Sequence, residues 1–124
     1  MAIRRRYVAV EALCEGASPK KEEVFEVLRQ SFAKLFGIAA LSKANLRLVS
    51  IRRWPYEDVF IVSCAHNYVD QVRASIAFVE RVGNARCVLR AVRVSGTIEA
   101  LRKRLIEAQA RFEPGMRAPS QSDR

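Results

Sequence analysis

The residues in this sequence best suited to chemistry are its arginines and lysines, and the chemistry they offer is phosphate recognition. Three groups stand out: Arg4-Arg5-Arg6, the pair Arg90 and Arg93, and Arg102-Lys103-Arg104. A guanidinium is a planar fork of donors that can hold a phosphate at two points or stack on a base, whereas an ammonium acts as a point charge. The chain carries 22 Lys plus Arg against 13 Asp plus Glu, a formal charge of +9, on a sequence that is 50% hydrophobic. That excess therefore decorates a globular protein and not a disordered basic tail. A polyanionic partner is expected, with nucleic acid ahead of a membrane surface.

Other chemistries have little to stand on. With one histidine, His66, there is no histidine cluster for a metal. Cys64-Ala65-His66 has ligand-like spacing, but zinc takes three or four protein ligands and no second pair is present. Ser95-Gly96-Thr97 lacks the spacing of a phosphate-binding Walker loop. Glu22-Glu23 and Asp70 fall in first helical turns, where the helix dipole accounts for them. No nucleophile has a recognisable base, so neither a catalytic residue nor a metal is assigned to this chain. The three cysteines, Cys14, Cys64 and Cys87, lie in apolar strand-like runs without a CxxC pair. Buried free thiols in a reducing compartment are the expectation. No apolar run approaches the roughly 20 residues that span a bilayer, and the N-terminus does not read as a signal peptide. A cytoplasmic protein without membrane contact is expected.

The elements that must position the basic groups follow from periodicity. Tyr7–Cys14 alternates as a strand. Ser18-Pro19 reads as the N-cap and first-turn proline of a helix whose apolar stripe includes Val24, Leu28, Phe32 and Leu35, with Gly37 as its stop. Residues 38–45 read as a connector, with room for one helical turn after Ser42. Leu46–Trp54 and Val59–Ala65 pair as a hairpin around Pro55-Tyr56-Glu57-Asp58. Asn67 is expected to cap a second helix, striped by Val69, Val72, Ile76 and Val79. Gly83-Asn84 turns the chain into a strand over Cys87–Val94, and Thr97 caps a last helix with Ile98, Leu101 and Leu105 on one face. Residues 1–112 thus form one domain and 113–124 a disordered tail. The order β-α-β-β-α-β plus a C-terminal helix specifies an α+β, ferredoxin-like or RRM-like sandwich with a four-stranded antiparallel sheet. The last helix can cap an edge or cover the open face.

Sheet aromatics are sparse. Tyr7, Phe60 and Trp54 give weak support for reading single strands by base stacking, whereas distributed arginines suit the backbone of a structured RNA. Arg52-Arg53-Trp54 can be a phosphate and stacking contact or a Trp packed over the sheet edge beside snorkelling arginines.

Two stretches together carry a family likeness. Cys64-Ala-His66-Asn-Tyr68, continuing through Arg73 and Ser75-Ile76, is followed some twenty residues later by Val94-Ser95-Gly96-Thr97-Ile98 and Leu101-Arg102. With the opening RRRYVAVE ahead of the SPKKE helix start, this resembles the ribonuclease P protein component 2 family of archaea over roughly residues 4 to 106. The resemblance implies an RNP-like subunit of the ribonucleoprotein that removes 5′ leaders from precursor tRNAs. It further implies that the RNA subunit carries the catalytic Mg2+ chemistry and that this chain binds no cofactor of its own. The implied partners are ribonuclease P RNA, precursor tRNA and another ribonuclease P protein subunit, in a heterodimer or heterotetramer.

The candidate RNA contacts are accordingly Arg4, Arg5, Arg6, Arg90, Arg93, Arg102, Lys103 and Arg104, with His66 and Arg73 as second choices. Phe25, off the main stripe of its helix, is a candidate contact for a protein partner. Two other readings remain: a ferredoxin-like small-molecule-sensing or regulatory dimer, and a ribosomal-type RNA scaffold.

Overall fold

The computed structural model describes residues 4–16, 19–51, 56 and 58–112, with side chains through 107. β1 (Arg5–Cys14) is followed by α1 (Lys21–Phe36), α2 (Ile38–Ala44), β2 (Arg47–Val49) and β3 (Val59–Ala65). A single 3-10 turn at His66–Tyr68 leads into α3 (Val69–Phe78), β4 (Arg81–Val82), β5 (Ala85–Ser95) and α4 (Ile98–Phe112). The α+β class holds, but among the described residues the antiparallel sheet has five strands, not four, in the order β2-β3-β1-β5-β4. The extra strand is two residues long, too short to show alternation in sequence, and folds back on β5 through Gly83 at φ 60°.

Helix ends also differ from expectation. Ser18 lies outside the described residues; α1 begins at Lys21, and the Lys20 amide donates to Glu23 Oε1 at 3.3 Å. The expected connector after Gly37 contains a seven-residue helix, α2, which ends where Asn45 turns left-handed at φ 52°. Asn tolerates that conformation better than most residues with a side chain. Asn67 does not cap α3, because it sits within the 3-10 turn and Tyr68 precedes the helix. Thr97 does cap α4: its Oγ1 accepts the Ala100 amide at 3.1 Å. Residues 52–55 and 57, with the expected Arg52-Arg53-Trp54 cluster, lie outside the described residues, as does the tail 113–124.

The sheet buries both faces, unequally. Val8 and Val10 of β1, Val62 and Cys64 of β3 and Leu89 of β5 join Val24, Leu28 and Phe32 of α1 and Val72 and Ile76 of α3 in the main core. The two helices are tied where Ser31 Oγ donates to the Ser75 carbonyl at 2.9 Å, so a buried hydroxyl is satisfied. On the opposite face, Ala9 and Ile61 pack with Leu101 of α4, flanked by Tyr7, Val92 and Leu105. Thus α4 covers the sheet face.

The cysteine expectation is corrected. Cys14 and Cys87 form a disulfide, while Cys64 is free and buried. They face each other across β1 and β5, and Glu15 donates to the Arg86 carbonyl beside them. Cys14 and Cys87 are therefore a non-hydrogen-bonded pair, the position at which opposing Cα atoms come nearest. Their separation of 73 residues hides this from any spacing rule.

Candidate nucleic-acid interface

The register of the sheet decides which basic residues meet. Arg5 lies opposite Ala65, and Tyr7 is flanked by Ser63 on one side and Ser95 on the other. The start of β1 therefore shares one end of the sheet with the end of β3 and the turn into α4. Arg4 and His66 are joined there, the His66 amide donating to the Arg4 carbonyl at 2.8 Å, and both side chains are exposed. Arg6 leans over the β5–α4 turn: a Cβ on Gly96 would lie 3.5 Å from its Nη1. Arg4, Arg6 and His66 thus form one rim beside the N-terminus of α4.

Arg5 behaves differently from its two neighbours. Its Nη2 donates to Ser63 Oγ and to the Asn45 carbonyl, both at 2.7 Å, and Nε donates to Ser63 Oγ at 3.2 Å. These bonds fasten β1 to β3 and to the α2–β2 junction, so Arg5 is a structural clamp on the inner side of the rim. Its spacing in sequence gives no hint of this, since three consecutive arginines look alike until the register points alternate ones to opposite faces.

Arg90 is also engaged. Its Nη2 and Nε donate to Glu11 Oε1 at 2.6 and 3.0 Å across the β1–β5 pair. Arg93 is set apart from it by a bulge: Val10 pairs with Ala91 and Ala9 with Arg93, leaving Val92 as the extra residue. Arg93 is exposed on the face that α4 covers, and Arg102, Lys103 and Arg104 are exposed along α4 itself. Arg73 is exposed on α3, on the other side of the sheet. The structure therefore gathers Arg4, Arg6 and His66 into one rim, sets Arg93 and the α4 band on the face beside it, and leaves Arg73 apart. Arg47 escaped the sequence reading. It is exposed on β2 in one cross-strand row with Ser63, Tyr7 and Ser95, a position that only the register reveals.

Base stacking on the sheet is obstructed. An RRM-like sheet reads RNA through aromatics on its open face, but here Tyr7 packs against the cluster centred on Leu101 of α4. Phe60 points into the opposite core. What the surface offers is cationic, hydrogen-bonding contact suited to phosphates.

Cys64 and His66 do not converge. Cys64 is fully buried, and burial pushes its thiol up to about 11 against the opposing pull of Arg5, whereas His66 is exposed. A thiol held protonated in this way is neither a nucleophile nor a ready metal ligand. Among the described residues, no group of three His, Cys, Asp or Glu side chains stands close enough to hold a metal ion. Phe25 is half-buried, with part of its ring packed against the main core. Among the described residues no helix is long and apolar enough to cross a membrane.

Comparison with known proteins agrees with this architecture. The model of the Rpp14/Pop5 family matches residues 6–106. A Methanosarcina mazei protein named ribonuclease P protein component 2 is 28% identical over 109 residues, covering 88% of this chain and 90% of its own length. The Aeropyrum pernix protein of the same name is 36% identical over 100 residues and covers 77% of each chain. Among solved structures, a chain from the cryo-EM structure of yeast ribonuclease MRP superposes with a TM-score of 0.60. That match covers 90% of this chain and 95% of the other at 8% identity, so it speaks to the fold alone.

Proposed function

The chain belongs to the Rpp14/Pop5 family of ribonuclease P protein subunits, and from that premise we propose that it binds the RNA of this ribonucleoprotein through the rim Arg4–Arg6–His66 and the basic band of α4. The observation that carries the reading is the family match across residues 6–106, which takes in Arg6, His66 and the α4 band and begins two residues after Arg4. In this role the protein does no bond-breaking. The RNA, with its Mg2+, cleaves the 5′ leader of precursor tRNA, and this chain works beside a second protein subunit to hold the RNA core in its active shape. Neutralising phosphates lowers the repulsion that the RNA must overcome to fold, which is work that otherwise requires more magnesium.

Several features support this division of labour. The exposed cations are spread over a rim and a helix face, as shape-directed contact with structured RNA requires. Three of the carboxylates are held in local contacts: Glu11 by Arg90, Glu23 by the start of α1 and Glu26 by Arg29. The test is a precursor-tRNA cleavage assay with purified components. The protein alone is expected to leave the substrate intact, and adding it with its partner subunit is expected to lower the Mg2+ that the RNA needs. Leader removal by the protein free of RNA would overturn the proposal.

A further inference from the structure

We propose that the outer edge of β5 receives an extended, acidic segment of a partner protein as an additional strand. β5 runs from Ala85 to Ser95, but β4 pairs only with its first two residues, through Arg81–Arg86 and Val82–Ala85. Among the described residues no strand lies against the remainder. The direction of its free groups follows from two bonds. Glu15 donates to the Arg86 carbonyl on the β1 side, and Cys87 donates to the Glu80 carbonyl on the outer side. By alternation, Leu89 and Ala91 also turn their amides and carbonyls outward. A long edge of this kind is a template for strand pairing.

The character of the edge selects its occupant. The edge alternates donors and acceptors, whereas an RNA backbone supplies phosphate acceptors and would leave the outward carbonyls unmatched. An extended peptide supplies both. On one face of the edge stand Arg86 and Arg93, exposed and, among the described residues, outside any ion pair. On the other face, α3 packs against β5 and carries Arg73, exposed on the flank turned away from Ser75 and α1. A second copy pairing edge to edge would bring arginines against arginines, which like-charge opposition disfavours. An acidic strand meets opposite charge on both faces. Arg93 lies beside the basic band of α4, but the test below uses peptide without RNA, so failure of this proposal is distinguishable from failure of the function above.

The probe is a fluorescein-labelled nonapeptide of alternating glutamate and valine. Its binding to the full chain is followed by fluorescence anisotropy, with amide hydrogen exchange read by NMR. The expected result is saturable binding that slows exchange at Leu89 and Ala91. Ala91→Pro, which removes an outward donor but none of the β1–β5 ladder bonds, should weaken binding about tenfold. Arg93→Glu provides a second variant that leaves the backbone untouched, and it too should weaken the complex. No binding, or binding that leaves the Leu89 and Ala91 amides unprotected, would overturn the proposal. So would protection of those amides by self-association without peptide, or by an oligouridylate that displaces the peptide.

Discussion

Arg90 and Glu11 face each other across the β1–β5 pair, with Nη2 2.6 Å from Oε1, so one of the strand's exposed cations is already matched. The pair is solvent-accessible on the arginine side and worth little to stability. Its effect is on availability. Glu11→Gln removes the competing charge and should tighten binding of ribonuclease P RNA about two- to fivefold, while steepening its salt dependence by roughly one phosphate contact. A nitrocellulose-filter titration across a salt series measures both. If Arg90 lies away from the RNA, affinity and slope will stay as in the wild type.

Arg5 is expected to behave as a fold residue. Arg5→Ala leaves Ser63 Oγ and the Asn45 carbonyl without their partner and should cost about 1–3 kcal/mol in urea unfolding. Arg6→Ala removes a 3.3 Å bond to the neighbouring Arg5 carbonyl and should change stability little while weakening RNA binding. Equal stability losses in the two variants would contradict the distinction.

These two arginines show what the sequence could and could not reveal. The strand over Tyr7–Cys14, the strand–turn–helix around Gly96 and the Thr97 cap rest on local patterns, and they appear in the structure within a few residues. Roles set by register did not. Whether Arg5 points at Ser63, whether Arg90 meets Glu11, and whether Cys14 meets Cys87 depend on partners far along the chain. A one-residue slip would reverse each answer. The position of α4 is not legible in sequence for a similar reason: its apolar stripe shows that it packs, and only Leu101 against Ala9 and Ile61 shows where.

The buried Cys64 thiol gives a pH signature. Burial raises it from the ordinary 9.0 to about 11, so the folded protein holds this proton more tightly than the unfolded chain. Its contribution to stability is complete below pH 9 and is lost as pH rises through 9 toward 11. The stability gap between the wild type and Cys64→Ala should therefore be constant from neutral pH to about 9 and then narrow. A gap that stays constant to pH 11 would contradict the assignment.

The Cys14–Cys87 bond closes a loop with a sequence separation of 73. Constraining the unfolded chain over that length is worth about 4 kcal/mol in the chain-entropy description. The double variant Cys14→Ser, Cys87→Ser should lower the urea midpoint accordingly, and adding reductant should then have no further effect. Wild-type protein that unfolds at the same midpoint with and without reductant would argue against the staple.

The measurement that tests the central claim most directly is recovery of the tagged, full-length protein from its native cells, with the RNA bound to it sequenced. The account predicts a single dominant species, ribonuclease P RNA, lost progressively as the salt of the wash is raised. Ribosomal RNA in its place, or protein free of RNA at low salt, would contradict it.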